Sequence, residues 1–395
     1  GQLYGLGCRL CTADDNGHAG DVLGNQGQTQ ITHESVGKEA HFLKGVAVSH
    51  RTNRICESYL FEIVVMELLR KNQFSDINVS AEPNDRVREI RRGFIEFKGR
   101  GCWHQIDCPC DYNKLIPFSY PLRLLGEVKF YKTHLSKEHI REYIGVIRDI
   151  QENYFVADGV NPQDFYPRKL EIGVYFSANG FQEEAEKLAY AHGIKTVSYE
   201  NNLLINRLKF LVEELEKNYL SVRCMKDNIW NSFRREFIDA IRYGYPNNHA
   251  GHHPYTADGY GEIVEEIRQT LVRIRASFIA TTATGVFLHF VGETDFPDEL
   301  FQYSDEGRCR IYYDIDNFRN RYFWMEITGD DLRRRFYFTP PGSLDFASVF
   351  GNEIVLNEKE RIFRTLNVNI NLNGISRSLT LHLDQDWLEA IRHNL

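Results

Sequence analysis

The chain has 395 residues, 42% hydrophobic and 26% charged, which is close to the globular average and excludes collagen, coiled coil and whole-chain disorder. Its net charge of −8 argues against a polybasic protein that coats nucleic acid, but it leaves room for an enzyme that binds nucleic acid through one local patch. At roughly 100–200 residues per domain, the length predicts two or three domains.

The sequence favours an intracellular protein. It contains no run of about 18 apolar residues, so we expect no transmembrane helix and no membrane partner. No signal peptide is visible at its beginning. The eight cysteines are interpreted as reduced thiols, and a cytoplasmic location is therefore expected.

The first half of the chain alternates between helical and strand patterns. Residues 1–53 are rich in glycine and polar residues and are interpreted as an N-terminal arm, with a strand near 41–49. Apolar residues spaced by four, such as Leu60, Val64 and Leu68, then predict a helix that ends near residue 71. The later elements are predicted as strands at 77–81, 93–98, 104–110 and 122–131, a helix after Ser136, a strand at 170–176, a helix at 181–192 and a strand at 194–199.

The second half begins with helices and continues with strands. Helices are predicted at 203–219, 230–242 and 262–275, with a polar loop at 243–261 between the last two. Strands are then predicted at 278–291, 309–315, 322–327, 335–338, 354–356, 365–372 and 378–383. The predicted domains are therefore an arm at 1–53, an α/β domain at 54–202, a helical linker at 203–260 and a β-rich recognition or oligomerisation domain at 261–395.

The chemically informative residues are Asp107 and the triplet Glu127-Val128-Lys129, on two consecutive predicted strands. Residues i and i+2 of a strand share a face, so Glu127 and Lys129 project together, and Asp107 joins them if the strands are neighbours. Two carboxylates suit Mg²⁺, which binds oxygen ligands and keeps several waters. The cation can polarise a phosphoryl oxygen and lower the pKa of a water, while Lys129 can offset negative charge in the transition state.

This pattern resembles the PD-(D/E)XK nuclease superfamily, and most of all its Mrr-like branch. The resemblance covers about residues 54–202. The branch opens with a helix that carries a Phe-Glu pair, which corresponds to Phe61-Glu62. Its glycine-containing approach to the metal-binding Asp is similar to residues 99–107, and its closing strand–turn–helix is similar to residues 174–181.

The resemblance implies an α/β, restriction-endonuclease-like mixed sheet flanked by helices, to which this chain adds a C-terminal mainly-β domain. It implies a metal-dependent endonuclease that hydrolyses DNA phosphodiester bonds with water as nucleophile, in prokaryotic restriction or antiviral defence. Asp107, Glu127 and Lys129 are the implied catalytic residues. Glu62, Asp107, Glu127 and the backbone carbonyl of Val128 are the implied ligands of one or two Mg²⁺ ions, for which Mn²⁺ is an expected substitute.

A basic run precedes Asp107. Its residues Arg91, Arg92, Lys98 and Arg100 are candidates for contacts with the phosphates of DNA, with RNA left open. Acidic residues dilute this run, so a solvated pair of strands is an equally weighted interpretation. We further expect a homodimer or higher oligomer, because two copies bring two sites to opposite DNA strands.

Two other classes of function stay open. The chain is interpreted, as alternatives, as the nuclease subunit of a larger complex with a regulatory protein partner, or as a non-catalytic DNA-binding scaffold. Within the site, the proline of the family pattern is absent before Asp107. Pro109 instead stands two residues before Asp111, which makes Asp111 a rival metal ligand.

A zinc site is a weaker hypothesis. Cys8 and Cys11 have the spacing of a zinc knuckle. A complete site needs a second pair, for which Cys108 with Cys110, or His18, are the candidates. Free thiols are the alternative.

Overall fold

A computed structural model describes residues 50–83, 85–91, 94–114, 118–154, 168–220, 227–244, 258–317, 320–340, 342, 352–372 and 375–393. Residues Val48–Leu395 form one compact unit. The predicted strand at 41–49 and the residues Cys8, Cys11 and His18 lie outside the described residues, as does most of the predicted loop at 243–261. No helix in the described part of the chain is long and apolar enough to span a bilayer.

The part of the chain up to residue 202 alternates between strands and helices. Its elements, in chain order, are α1 (His50–Lys71), β1 (Phe74–Asp76), β2 (Val87–Arg91), β3 (Phe94–Lys98), β4 (Trp103–Ile106), β5 (Cys108–Tyr112), β6 (Leu122–Lys129), α2 (Lys137–Gln151), β7 (Leu170–Ser177), α3 (Glu183–Ala191) and β8 (Lys195–Ser198).

These strands form two sheets. The larger has the order β1-β5-β6-β7-β8, with antiparallel pairing from β1 to β6 and parallel pairing from β6 to β8. The crossovers that parallel strands require are made by α2 and α3, which pack against one face of this sheet. The smaller sheet is the antiparallel meander β2-β3-β4. The observed arrangement is a mixed sheet flanked by helices.

Helix α1 lies against the other face of the large sheet. Its predicted apolar row Leu60, Val64 and Leu68 is buried, at 1% exposure or less, and so is the adjacent row Phe61, Val65 and Leu69. A helix that is apolar on so much of its circumference needs partners on more than one side. The other partners are α4 (Leu203–Glu214), α5 (Asp227–Tyr243) and α6 (Tyr260–Arg273), whose buried residues share one core with it.

The segment assigned to a helical linker therefore contributes to the same core as α1. Asn202 accepts a hydrogen bond from the backbone N–H of Ile205 and caps α4 in the way its side chain favours. Lys71, at the end of α1, donates to the carbonyl groups of Leu271 and Ile274 at the end of α6. The helices after residue 202 are thus tied to the first helix of the fold.

The C-terminal part is a closed seven-stranded barrel with the order β10-β13-β12-β11-β15-β14-β9. Phenylalanines fill much of its core, and closure leaves no free sheet edge in these strands. Its elements are β9 (Ala276–Thr282), β10 (Phe287–Gly292), β11 (Glu306–Ile315), β12 (Arg321–Ile327), β13 (Phe336–Phe338), α7 (Asn352–Phe363), β14 (Thr365–Leu372), β15 (Ile375–Leu383) and α8 (Gln385–His393).

Four predicted elements differ from the structure. The strand predicted at 104–110 is divided at Asp107 into β4 and β5, which belong to different sheets. Residues 354–356 lie in α7 rather than in a strand, because the buried residues Val355, Leu356, Lys359, Ile362 and Phe363 follow the helical period. The strand predicted at 77–81 is instead a 3₁₀ turn over Val79–Ala81. The long strand at 278–291 is the hairpin β9–β10.

The barrel joins the rest of the fold through a buried chain of hydrogen bonds. The Tyr199 hydroxyl and His289 Nδ1 are 2.8 Å apart, as are His289 Nε2 and Ser277 Oγ. Ser277 Oγ donates to the Leu68 carbonyl of α1, so His289 donates from Nε2 to Ser277 and accepts at Nδ1 from Tyr199. Burial lowers the pKa of His289 to about 4, so the ring is neutral at pH 7.

Candidate active site

The two sheets meet at Asp107. This residue directly follows β4 of the small sheet and directly precedes β5 of the large one, so the chain changes sheet at this position. Cys108 lies opposite Gly126 in the register of β5 and β6. Asp107 is therefore placed beside Glu127 and Val128, at the end of β6.

The closeness of β5 to β6 depends on Gly126. A Cβ atom at this position would stand 2.7 Å from the Cys108 carbonyl oxygen and 3.0 Å from the Cys108 Cβ. Such contacts are too short for ordinary packing, and the nearest atom belongs to the backbone, which cannot swing away. The glycine thus permits the strand spacing that brings Asp107 to β6.

Asp107, Glu127 and Lys129 lie in direct contact. Lys129 Nζ is 2.9 Å from Asp107 Oδ2 and 2.5 Å from Glu127 Oε1. The backbone N–H of Val128 also donates to Asp107 Oδ2, at 3.2 Å. The side chains keep between 12% and 21% of their surface exposed, so the cluster is sheltered but open to solvent on one side.

Glu62 belongs to the same electrostatic cluster. It lies on α1 between Phe61 and Ile63, both of which are buried, and Glu62 itself is partly buried. Burial raises its pKa well above the ordinary value, and the negative charge of Asp107 raises it further. The structure therefore groups all four side chains predicted for the site: Glu62, Asp107, Glu127 and Lys129.

Three carboxyl groups share one ammonium in this cluster. Burial, followed by the charge of Asp107, raises the pKa of Glu127 to about 7. The charges of Asp107 and Glu127 raise the pKa of Lys129 and outweigh the opposite effect of its burial, so the ammonium stays charged. Three carboxyl groups around one ammonium favour a divalent cation. Its charge would lower the raised pKa values of Glu62 and Glu127.

The carboxyl oxygens are hard donors of the kind that Mg²⁺ takes, and they fit this ion. The three carboxyl groups are not drawn tightly together. Among the described residues, only Cys102, His104 and Asp149 form a group of three His, Cys, Asp or Glu side chains whose donor atoms lie within 4.8 Å of one another. Mg²⁺ tolerates this arrangement because it keeps several waters and needs only one or two carboxylates. Glu62, Asp107 and Glu127 would hold the ion.

Residues from other elements surround the cluster. Tyr143 of α2 donates to the carbonyl groups of Leu125 and Val174 and packs edge-on against Tyr175. On the other side, the guanidinium of Arg234 from α5 lies between two rings, 3.8 Å from the centre of Tyr59 and 3.6 Å from that of Phe94.

Arg234 belongs to the surroundings of the site, although no sequence motif indicates it. Its positive charge lowers the pKa of Glu62 and partly opposes the effect of burial there. Arg234 occupies an ordinary helical position in α5, and it lies more than 100 positions after Glu127 in the sequence. The tertiary packing of α5 on α1 places it, and no local motif marks that packing.

Asp111 is not the metal ligand that its proline suggested. Asp111 lies opposite Arg123 in the register of β5 and β6. Arg123 is four residues before Glu127, so Asp111 and Glu127 are about 14 Å apart along the strand direction. Its carboxylate forms two hydrogen bonds with the buried Arg123, at 2.7 and 2.9 Å. Glu82 completes the pairing of that guanidinium, so Asp111 has a structural role away from Glu127.

The basic candidates divide into described and undescribed residues. The Arg91 side chain and the whole of Arg92 lie outside the described residues. Lys98 pairs with Trp103 in the register of β3 and β4, and Lys98 Nζ is 5.4 Å from the centre of the Trp103 ring. Arg100 is exposed and forms an ion pair with Glu152 at 2.9 Å. Both lie at the end of the hairpin far from Asp107.

Cys108 and Cys110 do not have the environment of zinc ligands. Both are buried in the core beside α1, and Cys108 donates to Met66 Sδ at 2.9 Å. Burial raises the pKa of both thiols well above the ordinary value, which keeps them protonated, whereas a metal needs the thiolate.

Comparison with known proteins adds no function. No family model matches the chain, and no curated protein matches it. A crystal structure described as a protein of unknown function, AF1548, matches 54% of this chain and 94% of its own length. The identity is 14% and the TM-score is 0.27, so the match supports no argument about fold.

Proposed function

We propose that the protein is a metal-dependent endonuclease that hydrolyses phosphodiester bonds in DNA. One observation carries the proposal: Lys129 contacts both Asp107 and Glu127 at the end of two adjacent strands, with Glu62 in the same electrostatic cluster. Two or more sheltered carboxylates beside an ammonium are the groups that phosphoryl hydrolysis needs to bind a cation and to stabilise the transition state.

Each side chain has a role in this proposal. Glu62, Asp107, Glu127 and the Val128 carbonyl would hold one or two Mg²⁺ ions, or Mn²⁺ in their place. Such an ion would supply polarisation of a phosphoryl oxygen and a lower pKa for a water. Lys129, which stays charged, positions the attacking water and neutralises charge that develops on the phosphate.

The proposal extends to the setting of the enzyme. Lys98 and Arg100 contact DNA phosphates at the end of the β3–β4 hairpin that is farther from Asp107. The protein acts as an oligomer in the cytoplasm, in restriction or antiviral defence. The barrel provides recognition, assembly or docking of a regulatory partner.

A plasmid-nicking assay tests the activity. With Mg²⁺ or Mn²⁺ the wild type converts supercoiled DNA to open-circular or linear DNA, and EDTA prevents this. Lys129→Ala abolishes cleavage, since the variant cannot neutralise the transition state. Lys132→Ala, which changes an exposed lysine three residues later, is the matched control and retains activity.

Two results would contradict the proposal. Cleavage by Lys129→Ala at the wild-type rate would remove Lys129 from the reaction. DNA binding without cleavage under either metal would instead favour the non-catalytic scaffold.

A further inference from the structure

A second cluster of metal-binding side chains lies at the turn between β3 and β4. Cys102 and His104 come from this hairpin, and Asp149 comes from the last turn of α2. One donor atom from each of the three lies within 4.8 Å of the other two. They are a thiol sulfur, an imidazole nitrogen and a carboxylate oxygen.

The geometry distinguishes this cluster from a nucleophile relay. A Cys-His-Asp relay uses one ring nitrogen for the thiol and the other for the carboxylate. Here His104 Nε2 faces both partners, at 3.4 Å from Cys102 Sγ and 2.7 Å from Asp149 Oδ2, and Nδ1 is farther from the sulfur, at 4.0 Å. Three donors that converge on one point, rather than in a line, are arranged as ligands around an ion.

The spacing agrees with a tetrahedral ion. Bonds of about 2.3 Å to sulfur and about 2.0–2.1 Å to nitrogen place these ligands about 3.5 Å apart. The observed distance between Cys102 Sγ and His104 Nε2 is 3.4 Å. The contact between His104 and Asp149 is a hydrogen bond, and it would lengthen by about 0.6 Å when an ion replaces the proton.

The carboxylate is fixed before any ion arrives. The backbone N–H of Gly101 donates to Asp149 at 3.1 Å, and the N–H of Arg100 donates to the Asp149 carbonyl at 3.1 Å. A Cβ at Gly99 would stand 1.9 Å from Asp149 Oδ2, so a side chain there would displace the carboxylate. The glycine turn thus holds Asp149 against the hairpin that carries the other two donors.

We propose that Cys102, His104 and Asp149 bind a Zn²⁺ ion, with water as the fourth ligand. Thiolate and imidazole donors select zinc over Mg²⁺, which prefers oxygen. Binding releases the thiol proton, and the proton on Nε2 moves to Nδ1, so that His104 stays neutral. The Cys102 thiolate and the Asp149 carboxylate then balance the charge of the ion. The ion clips the β3–β4 turn to α2 and so steadies the strand that leads to Asp107. This site is independent of the proposed nuclease activity.

The test uses the full-length protein with Cys8→Ser and Cys11→Ser, which removes the other candidate pair of zinc ligands. The reduced, metal-free protein is titrated with Co²⁺, whose thiolate complexes absorb in the near ultraviolet and whose visible bands are intense when it is four-coordinate. We expect one equivalent to produce both signals, and Zn²⁺ to displace it. Bound Zn²⁺ also raises the Tm.

Single substitutions identify the ligands. Cys102→Ser abolishes the thiolate band, and His104→Ala and Asp149→Asn each weaken Co²⁺ binding at least tenfold. Glu152→Gln, an exposed acidic residue three positions after Asp149, leaves binding unchanged. The proposal is overturned if no thiolate band develops, if the band survives Cys102→Ser, or if Glu152→Gln weakens binding as much as Asp149→Asn.

Discussion

At the scale of single residues, Lys129 is first a charge partner for Asp107 and Glu127. A lysine on an exposed strand face usually contributes little to stability. The structure shows it in contact with two sheltered carboxylates, and removal of one partner from such a group leaves uncompensated charge.

We therefore expect Lys129→Ala to lower the free energy of unfolding by about 1–3 kcal/mol without metal, and Mg²⁺ to restore more stability to this variant than to the wild type. Thermal unfolding with and without MgCl₂ measures the difference. Lys132→Ala is the control, and an equal response of both variants to Mg²⁺ would contradict this account.

Asp111 gives the complementary prediction. Its carboxylate pairs with Arg123, which is 2% exposed, so Asp111→Asn weakens a buried ion pair and lowers stability by about 1–3 kcal/mol. Metal affinity and cleavage stay at the wild-type level. Glu62→Gln is expected to have the opposite effect: it keeps stability but loses most of the metal-dependent activity. Isothermal titration with Mn²⁺ beside thermal unfolding separates the two effects, and a loss of Mn²⁺ affinity in Asp111→Asn would return that residue to the site.

At the scale of elements, the position of Asp107 depends on how closely β5 approaches β6. In Gly126→Ala the added Cβ meets the Cys108 backbone, so the strands must separate. We expect a loss of about 1–3 kcal/mol and a drop in cleavage, because Asp107 moves away from Glu127 and Lys129. Gly145→Ala on α2, where a Cβ meets nothing within 4 Å, is the matched control and is expected to gain stability from helix propensity. Equal activity in both variants would show that the spacing is not critical.

The same elements show what the sequence can and cannot predict. The helix α1 is visible because apolar residues recur four positions apart within a long apolar run. In β6, Glu127 and Lys129 follow from strand alternation on either side of the buried Val128. Asp111 remains a rival to Asp107 when only the sequence is considered, because alternation gives the face of a strand but not which residue lies opposite it. Register depends on the partner strand, and that is a tertiary property.

The sequence predicts the helices after residue 202 but not the domain to which they belong, for a related reason. Their amphipathic patterns predict that each buries one face, but not the element against which it packs. The structure shows that α1 provides this surface for α4, α5 and α6. Arg234 reaches the site by the same packing, which local patterns do not encode.

At the scale of the whole molecule, the joint between barrel and α1 makes stability depend on pH. The unfolded chain takes up a proton on His289 below pH 6.5, whereas the folded chain does so only near pH 4. Stability conferred by the neutral ring is thus complete above pH 6.5 and is lost as the pH falls toward 4, by up to about 3 kcal/mol.

We expect this loss to be smaller in His289→Gln, since glutamine does not titrate. Chemical denaturation at several pH values between 4 and 7 measures it, and the comparison of the slopes removes contributions from other groups. His393→Gln, an exposed change in α8, should keep the wild-type slope. A steep slope in His289→Gln would assign the pH dependence to other residues.

The shared core also predicts the fate of a fragment that ends at residue 202. Without α4 to α6, the apolar surface of α1 would lose part of its covering and would face water. We expect this fragment to aggregate or to lack a cooperative unfolding transition, while the full chain unfolds cooperatively. Circular dichroism and size-exclusion chromatography decide this, and a stable, monodisperse fragment would show that the first 202 residues fold alone.

Helix α1 has a further consequence during synthesis on the ribosome. Leu68 receives its hydrogen bond from a serine 209 positions later in the chain. At translation rates of roughly 5–20 residues per second, the partner emerges about 10–40 seconds after the helix. The sheet and the helices that cover α1 are themselves made during that interval, so the covering of this apolar helix is incomplete until its end. We therefore expect this protein to depend on chaperones that hold nascent chains, and to reach its native state mainly after translation ends.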